Sequence, residues 1–173
     1  MNNLKFLPKI LQFITLSFFS VWLGGYIARQ IVIYPLFEPI ELNLRSTFNS
    51  TNLPAVISTI IPLIIFNIIS YSLFLITFIL FLVFSKMNLK INGWLFITSL
   101  LIFVTAPFEI YLLTIDFKIV SNGLSNNINS TYLIDLIKER LTIFSSFALI
   151  EVFSYVAIIY MVVFKPLQKK NEN

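Results

Sequence analysis

Histidine and cysteine are both missing from this chain of 173 residues. Without cysteine there is no disulfide, no thiolate metal site and no redox thiol. Without histidine there is no imidazole-ligated haem, no ordinary zinc site and no Ser-His-Asp triad built from this chain. No metal or cofactor is therefore expected, and only carboxylate, amide and hydroxyl chemistry remains. Charge is also scarce, at 12% of residues, and glycine occurs four times. Soluble domains carry roughly 25% charged residues. The net charge of +4 does not point to nucleic acid, because the basic residues form no stripe with interleaved aromatics.

What is present is apolar: 58% of the residues are hydrophobic and 19 are Phe. A water-soluble chain of this length has too little interior to hide that much apolar surface. Four apolar runs cover about 10–34, 55–84, 94–115 and 141–164. Each exceeds the roughly 20 residues that cross a bilayer as a helix, and none shows the short alternating pattern of a barrel strand. The expected fold is all-α: an integral membrane four-helix bundle, one transmembrane domain over residues 1–173. Pro8 suits the start of the first run and Pro35 its end, while Pro62 and Pro107 fall inside the second and third. The first run follows Lys5 and Lys9, as a signal peptide would, but exceeds a typical signal core and lacks a small-residue cleavage site; it reads as an uncleaved span.

The connections set the expected topology. The N-terminal segment, the loop 85–93 and the tail hold Lys5, Lys9, Lys86, Lys90, Lys165, Lys169 and Lys170 against a single acid, Glu172. The other two connections mix their basic residues with Glu38, Glu41, Asp116, Asp135 and Glu139. The positive-inside rule then places both termini in the cytoplasm, in a bacterial inner membrane or an equivalent organellar one. Ile40–Phe48 is long enough for one short interfacial helix. Residues 121–131 read as a flexible loop, and Tyr132–Arg140 as a helix that runs on into the fourth span. Asn49-Ser50-Thr51 and Asn129-Ser130-Thr131 match glycosylation sequons, which an Asn-rich chain produces by chance.

Charges inside apolar runs cost at least roughly 2.5–3.5 kcal/mol at the bilayer centre, so each needs a reason. Arg29 and Glu109 lie near the outer ends of their runs at similar depth, where a salt bridge between them competes with snorkelling to the headgroups. Glu151 lies mid-run. It has to be protonated, paired or facing a polar cavity. Asn67, Ser70 and Tyr155 fall near the same depth, so a polar core of Glu151, Asn67, Ser70 and Tyr155 is expected, serving either chemistry or helix–helix adhesion. Ser20, Gly24 and Ala28 recur every fourth residue, a stripe that lets another helix approach closely. Trp22, Trp94, Tyr26, Tyr34 and Tyr111 read as interface anchors or packing residues.

Three segments carry a resemblance: WLGGYIARQIVIYPLF (Trp22–Phe37), VTAPFEIYLLTID (Val104–Asp116) and KERLTIFSSFALIEVFSYVAIIY (Lys138–Tyr160). Through Gly24, Gly25, Pro35, Pro107, Glu109 and Arg140 the layout resembles two small four-span families, the transmembrane-protein-205-like and the anthrone-oxygenase-like domains. The resemblance implies four spans. The oxygenase-like family has Asn where this chain has Glu109, and the other has a His and an Asn in its last span that this chain lacks. The small-residue stripe, the short loops and the lack of a catalytic constellation point to a non-enzymatic subunit of a membrane complex, with the lipid bilayer and other membrane subunits as partners. Two alternatives stand beside it: a cofactor-free enzyme that uses Glu109 or Glu151 on a lipophilic substrate, and a proton or small-solute pathway through the same acids.

Overall fold

The computed structural model describes residues 6–125, 129–144 and 147–168. All regular secondary structure among them is helical: α1 (Phe6–Ile33), α2 (Leu53–Ser85), α3 (Gly93–Gly123), α4 (Ser130–Thr142) and α5 (Phe147–Phe164). The first three hold 28, 33 and 31 residues and are long and apolar enough to cross a membrane. α5 is a shorter apolar helix.

The apolar run 141–164 is not one helix, because α4 ends at Thr142 and α5 begins at Phe147. Glu151 therefore sits in the second turn of α5, close to the break, rather than midway along a continuous span. α3 in turn outruns its apolar stretch and continues to Gly123, so most of the expected loop at 121–131 is either helix or lies outside the described residues. Residues 40–48 form turns instead of an interfacial helix: Phe37 bridges Leu44, and Arg45 donates from its backbone to the Leu36 carbonyl at 3.0 Å and from Nε to the Phe37 carbonyl at 3.1 Å. Asn129 caps α4 by accepting from the Tyr132 amide, as short polar side chains do at helix starts.

α1 and α2 form the most extensive pair; α3 packs on α2, α4 and α5. Gly25 makes the α1–α2 approach possible. A Cβ there would lie 2.7 Å from Asn67 Oδ1 and 3.0 Å from the Phe66 ring. Asn67 uses the space to donate to the Gly25 carbonyl at 3.2 Å. Gly24, by contrast, has nothing near its Cβ direction, and Ser20, Gly24 and Ala28 all face outward. The small-residue stripe is thus not the internal contact. Mid-bundle, Trp22, Tyr71, Phe74 and Tyr155 stack with centroids 4.6–6.5 Å apart. Trp22 and Tyr26 are core residues, whereas Tyr34 and Tyr111 are exposed.

The polarity of α5 is inverted. α5 buries Glu151, Tyr155 and Ile158, and turns Leu149, Ile150, Phe153, Val156, Ile159 and Val163 outward. A helix whose buried face is the more polar one is matched to apolar surroundings. Gly25→Ala is expected to destabilise the bundle by about 1–3 kcal/mol through overpacking, and Gly24→Ala to leave it unchanged or slightly more stable. Thermal unfolding of both variants in mild detergent checks the contrast.

Candidate functional site: a buried cluster of five charged residues

On α3 the residues Thr98, Thr105, Glu109 and Asp116 are separated by seven, four and seven positions, so a helical period puts them on one stripe, and all four are buried. α1 presents Tyr26 and Arg29 to its outer part. α4 is amphipathic: Leu133, Ile134, Leu136 and Ile137 are buried and Asp135 and Glu139 exposed, with Arg140 on the buried side at its last turn. α5 adds Glu151.

The result is an ionic cluster inside the protein. Arg29 forks onto Asp116, Nη1 donating to Oδ2 at 2.7 Å and Nη2 to Oδ1 at 2.5 Å. Arg140 donates from Nε to Asp116 Oδ2 at 3.0 Å and from Nη2 to Glu109 Oε1 at 3.2 Å. Asp116 thus binds both guanidiniums, one from α1 and one from α4. Arg29, Glu109, Asp116 and Glu151 are at most 1% exposed, and Arg140 is 6%. The Arg140 guanidinium also lies over the Tyr26 ring, 6.0 Å from its centroid. Glu151 adjoins Glu109 and the Tyr26 hydroxyl, yet neither of its oxygens completes a hydrogen bond of good geometry, and Glu109 Oε2 has none either.

The charges do not balance. Two guanidiniums, which stay protonated in proteins, meet three carboxyl groups. Asp116 and one further carboxylate match the two arginines. The remaining group of the Glu109–Glu151 pair needs a proton or a small cation, because an uncompensated charge at such a place is strongly disfavoured. Among the described residues no cluster of three or more His, Cys, Asp or Glu is arranged to hold a metal ion.

The expected Arg29–Glu109 bridge is replaced by two others, Arg29–Asp116 and Arg140–Glu109. The cause is the continuation of α3: Asp116 is seven residues beyond Glu109 on the same face and reaches Arg29 first. The expected polar core is also divided. Asn67 bonds to α1, and Ser70 Oγ donates to its own helix at the Phe66 carbonyl, 2.8 Å away. Tyr155 Oη pairs with Thr105 Oγ1 at 3.1 Å. Glu151 and Tyr155 share a face of α5, but Asn67 and Ser70 do not join Glu151. Asp116 and Tyr26 were not among the expected site residues. The stripe 98–105–109–116 was the signal for Asp116, masked by its place at the end of an apolar run.

A small cleft of about 10 Å³ lies beside Tyr26, Gln30, Tyr34 and Arg140, and one of about 30 Å³ at the opposite end of the bundle; neither is lined by Glu109 or Glu151. Comparison with protein-family models, curated proteins and solved structures finds no match. The function is therefore argued from the geometry.

Replacing Asp116 by Asn leaves two buried guanidiniums short of charge. The expected loss is about 3–5 kcal/mol, the usual cost of removing one partner of a buried pair. Arg29→Met with Asp116→Leu is expected to lose less than the two single variants summed. A double-mutant cycle on unfolding in detergent reads this coupling.

Proposed function

We propose that this chain is a multi-pass membrane protein that takes up and releases a proton at the Glu109–Glu151 pair, serving proton movement within or across the bilayer. The observation that carries the reading is the third carboxyl group: two guanidiniums face three buried carboxyl groups, and Glu151 lies against Glu109 and the Tyr26 hydroxyl. Intramembrane acids of this kind mark proton relays. Outward, Tyr26 and Arg140 connect the pair to the small cleft beside Gln30 and Tyr34. Inward, Tyr155 and Thr105 are hydrogen-bonded, and the Tyr71 hydroxyl adjoins that of Tyr155 in the same aromatic layer. Together these hydroxyls offer exchangeable protons along the face that carries Glu109.

The reading includes four crossings, with α5 as the fourth span and both termini in the cytoplasm. At about 1.5 Å per residue the 18 residues of α5 reach about 27 Å, close to the roughly 30 Å of a hydrocarbon core.

A second reading, a non-enzymatic subunit of a membrane complex, is favoured by the outward face of Ser20, Gly24 and Ala28. Small residues on the outside of α1 leave room for a further membrane helix. Because the chain has no native cysteine, Gly24→Cys gives a single cross-linking site; its disulfide-linked dimer in native membranes would mark a second copy of this chain as that helix.

In liposomes bearing an inward-negative potassium diffusion potential, purified protein is expected to acidify the lumen faster than protein-free vesicles. Glu151→Gln, nearly isosteric but without a carboxyl proton, should slow this by at least about tenfold. Equal rates for wild type and variant would remove the proton reading. For the topology, an impermeant maleimide should label Asn43→Cys in intact cells and Asn88→Cys only after permeabilisation.

A further inference from the structure

A polar stripe on α1 runs outward from Glu151. Tyr26, Gln30 and Tyr34 recur every fourth residue, so they share one face at intervals of about 6 Å along the axis. Tyr34 opens the short 3-10 turn that follows the helix. Exposure rises along the stripe: Tyr26 is 1% exposed, Gln30 is half-buried and Tyr34 is 45% exposed. One and two turns inward of Tyr26 the same face carries Trp22 and Phe18, so its polar groups stop where Glu151 is reached. Trp22 packs edge-on against Tyr155, with centroids 4.6 Å apart, and fills the way further in.

All three residues of the stripe line the small cleft beside Arg140. The rest of its wall, from Leu112, Leu141, Phe144 and Ala148, is apolar. Its volume of about 10 Å³ is the space of one water molecule. A water there needs polar partners of both kinds, and the wall supplies them. Gln30 Oε1 accepts, and it is buried with no partner among the described residues. The Arg140 guanidinium donates. Its charge is matched by Asp116 and Glu109, so it does not stand as a bare cation in the path of a proton. The Tyr26 hydroxyl adjoins Glu151, and the Tyr26 ring lies under the Arg140 guanidinium. Tyr26 therefore touches both the cleft and the acid.

We propose that the stripe Tyr26–Gln30–Tyr34 is the proton entrance of the Glu109–Glu151 pair, with one water held by Gln30 and Arg140 and the Tyr26 hydroxyl as the relay. In the uptake step the Tyr26 O–H proton passes to a Glu151 carboxylate oxygen. The Tyr26 oxygen takes a proton from the water, and the water regains one from the aqueous side past Tyr34. One proton enters, and the tyrosine and the water end unchanged. This rests on the proton reading above and adds a direction to it: the pair is loaded from the end of the bundle that carries Tyr34.

Hydrogen–deuterium exchange of the buried carboxyl proton, followed by infrared spectroscopy in lipid, tests the entrance without measuring transport. The wild-type protein is expected to show a protonated-carboxyl C=O band that Glu109→Gln or Glu151→Gln removes and that shifts when the medium is changed to D2O. Tyr26→Phe keeps the ring against Trp22 and Arg140 and removes the hydroxyl; it should slow that shift at least about tenfold. Gln30→Leu removes the acceptor and Ala148→Leu fills the cleft, and each should slow it about fivefold. Tyr111→Phe, which removes an exposed hydroxyl of α3 outside the cleft, should leave it unchanged. A wild-type exchange rate in Tyr26→Phe, or in both Gln30→Leu and Ala148→Leu, overturns the entrance and leaves the proton-holding pair standing. A spectrum in which neither Gln variant removes a protonated-carboxyl band overturns both. Exchange that depends on Tyr26, without acidification of liposomes, upholds the entrance and removes only movement across the bilayer.

Discussion

A guanidinium placed inside an apolar bundle is stable only if a carboxylate meets it with fixed geometry, and in this protein one carboxylate meets two. Asp116 accepts a bidentate fork from Arg29 of α1 and the Nε–H of Arg140 of α4. Three helices, α1, α3 and α4, are thereby held at one point. In a low-dielectric setting such a contact is close to obligatory, because each charge left alone would be worse off than in any alternative arrangement. The position of α4 over the end of the bundle, the depth of Glu109 and the approach of α5 all follow from satisfying it. Once both arginines are engaged there, Glu109 retains a single contact to Arg140 and Glu151 retains none of good geometry. The uncompensated acid is a consequence of the clasp.

Beneath this layer the protein changes character. The ring stack of Trp22, Tyr71, Phe74 and Tyr155 fills the middle of the bundle, with the two tyrosine hydroxyls adjoining each other and that of Tyr155 paired with Thr105. Below it lies a small phenylalanine-lined cleft. The buried charges thus lie within a largely apolar interior, while Ile, Leu, Val and Phe also cover much of the outside. In water this distribution would unfold or aggregate. In hydrocarbon it places each polar atom away from lipid, as backbone and side-chain hydrogen bonding there demands.

Much of the architecture was legible along the chain. Apolar run length identified α1, α2 and α3 as long helices, because the bilayer criterion depends only on composition and length. Arg29, Glu109 and Glu151 stood out because a charge in such a run is costly wherever it points. Asp116 did not, since it follows the last apolar residue and looks like the start of a loop; only the continuation of α3 to Gly123 makes it interior. Arg140 was visible as a position in a resemblance, yet its partners were not. Of the glycines, Gly24 drew attention by its spacing, and the contact belongs to Gly25. A shift of one residue turns a helix position by about 100°, which is enough to move it from the outer face to the inner one.

The sequence by itself determined the class of environment, the helical class and the kinds of chemistry on hand, because these depend on composition, on run length and on the absence of histidine and cysteine. Only the tertiary structure decided which charges are partners. Pairing depends on depth and rotation to within a few ångströms, and both are set by helix ends and by packing at Gly25 and beneath α4. Two arginines and three acids have several near-equivalent pairings on paper. The fold selects the one that gives Asp116 both guanidiniums, and so leaves the Glu109–Glu151 pair with one carboxyl group more than the arginines match.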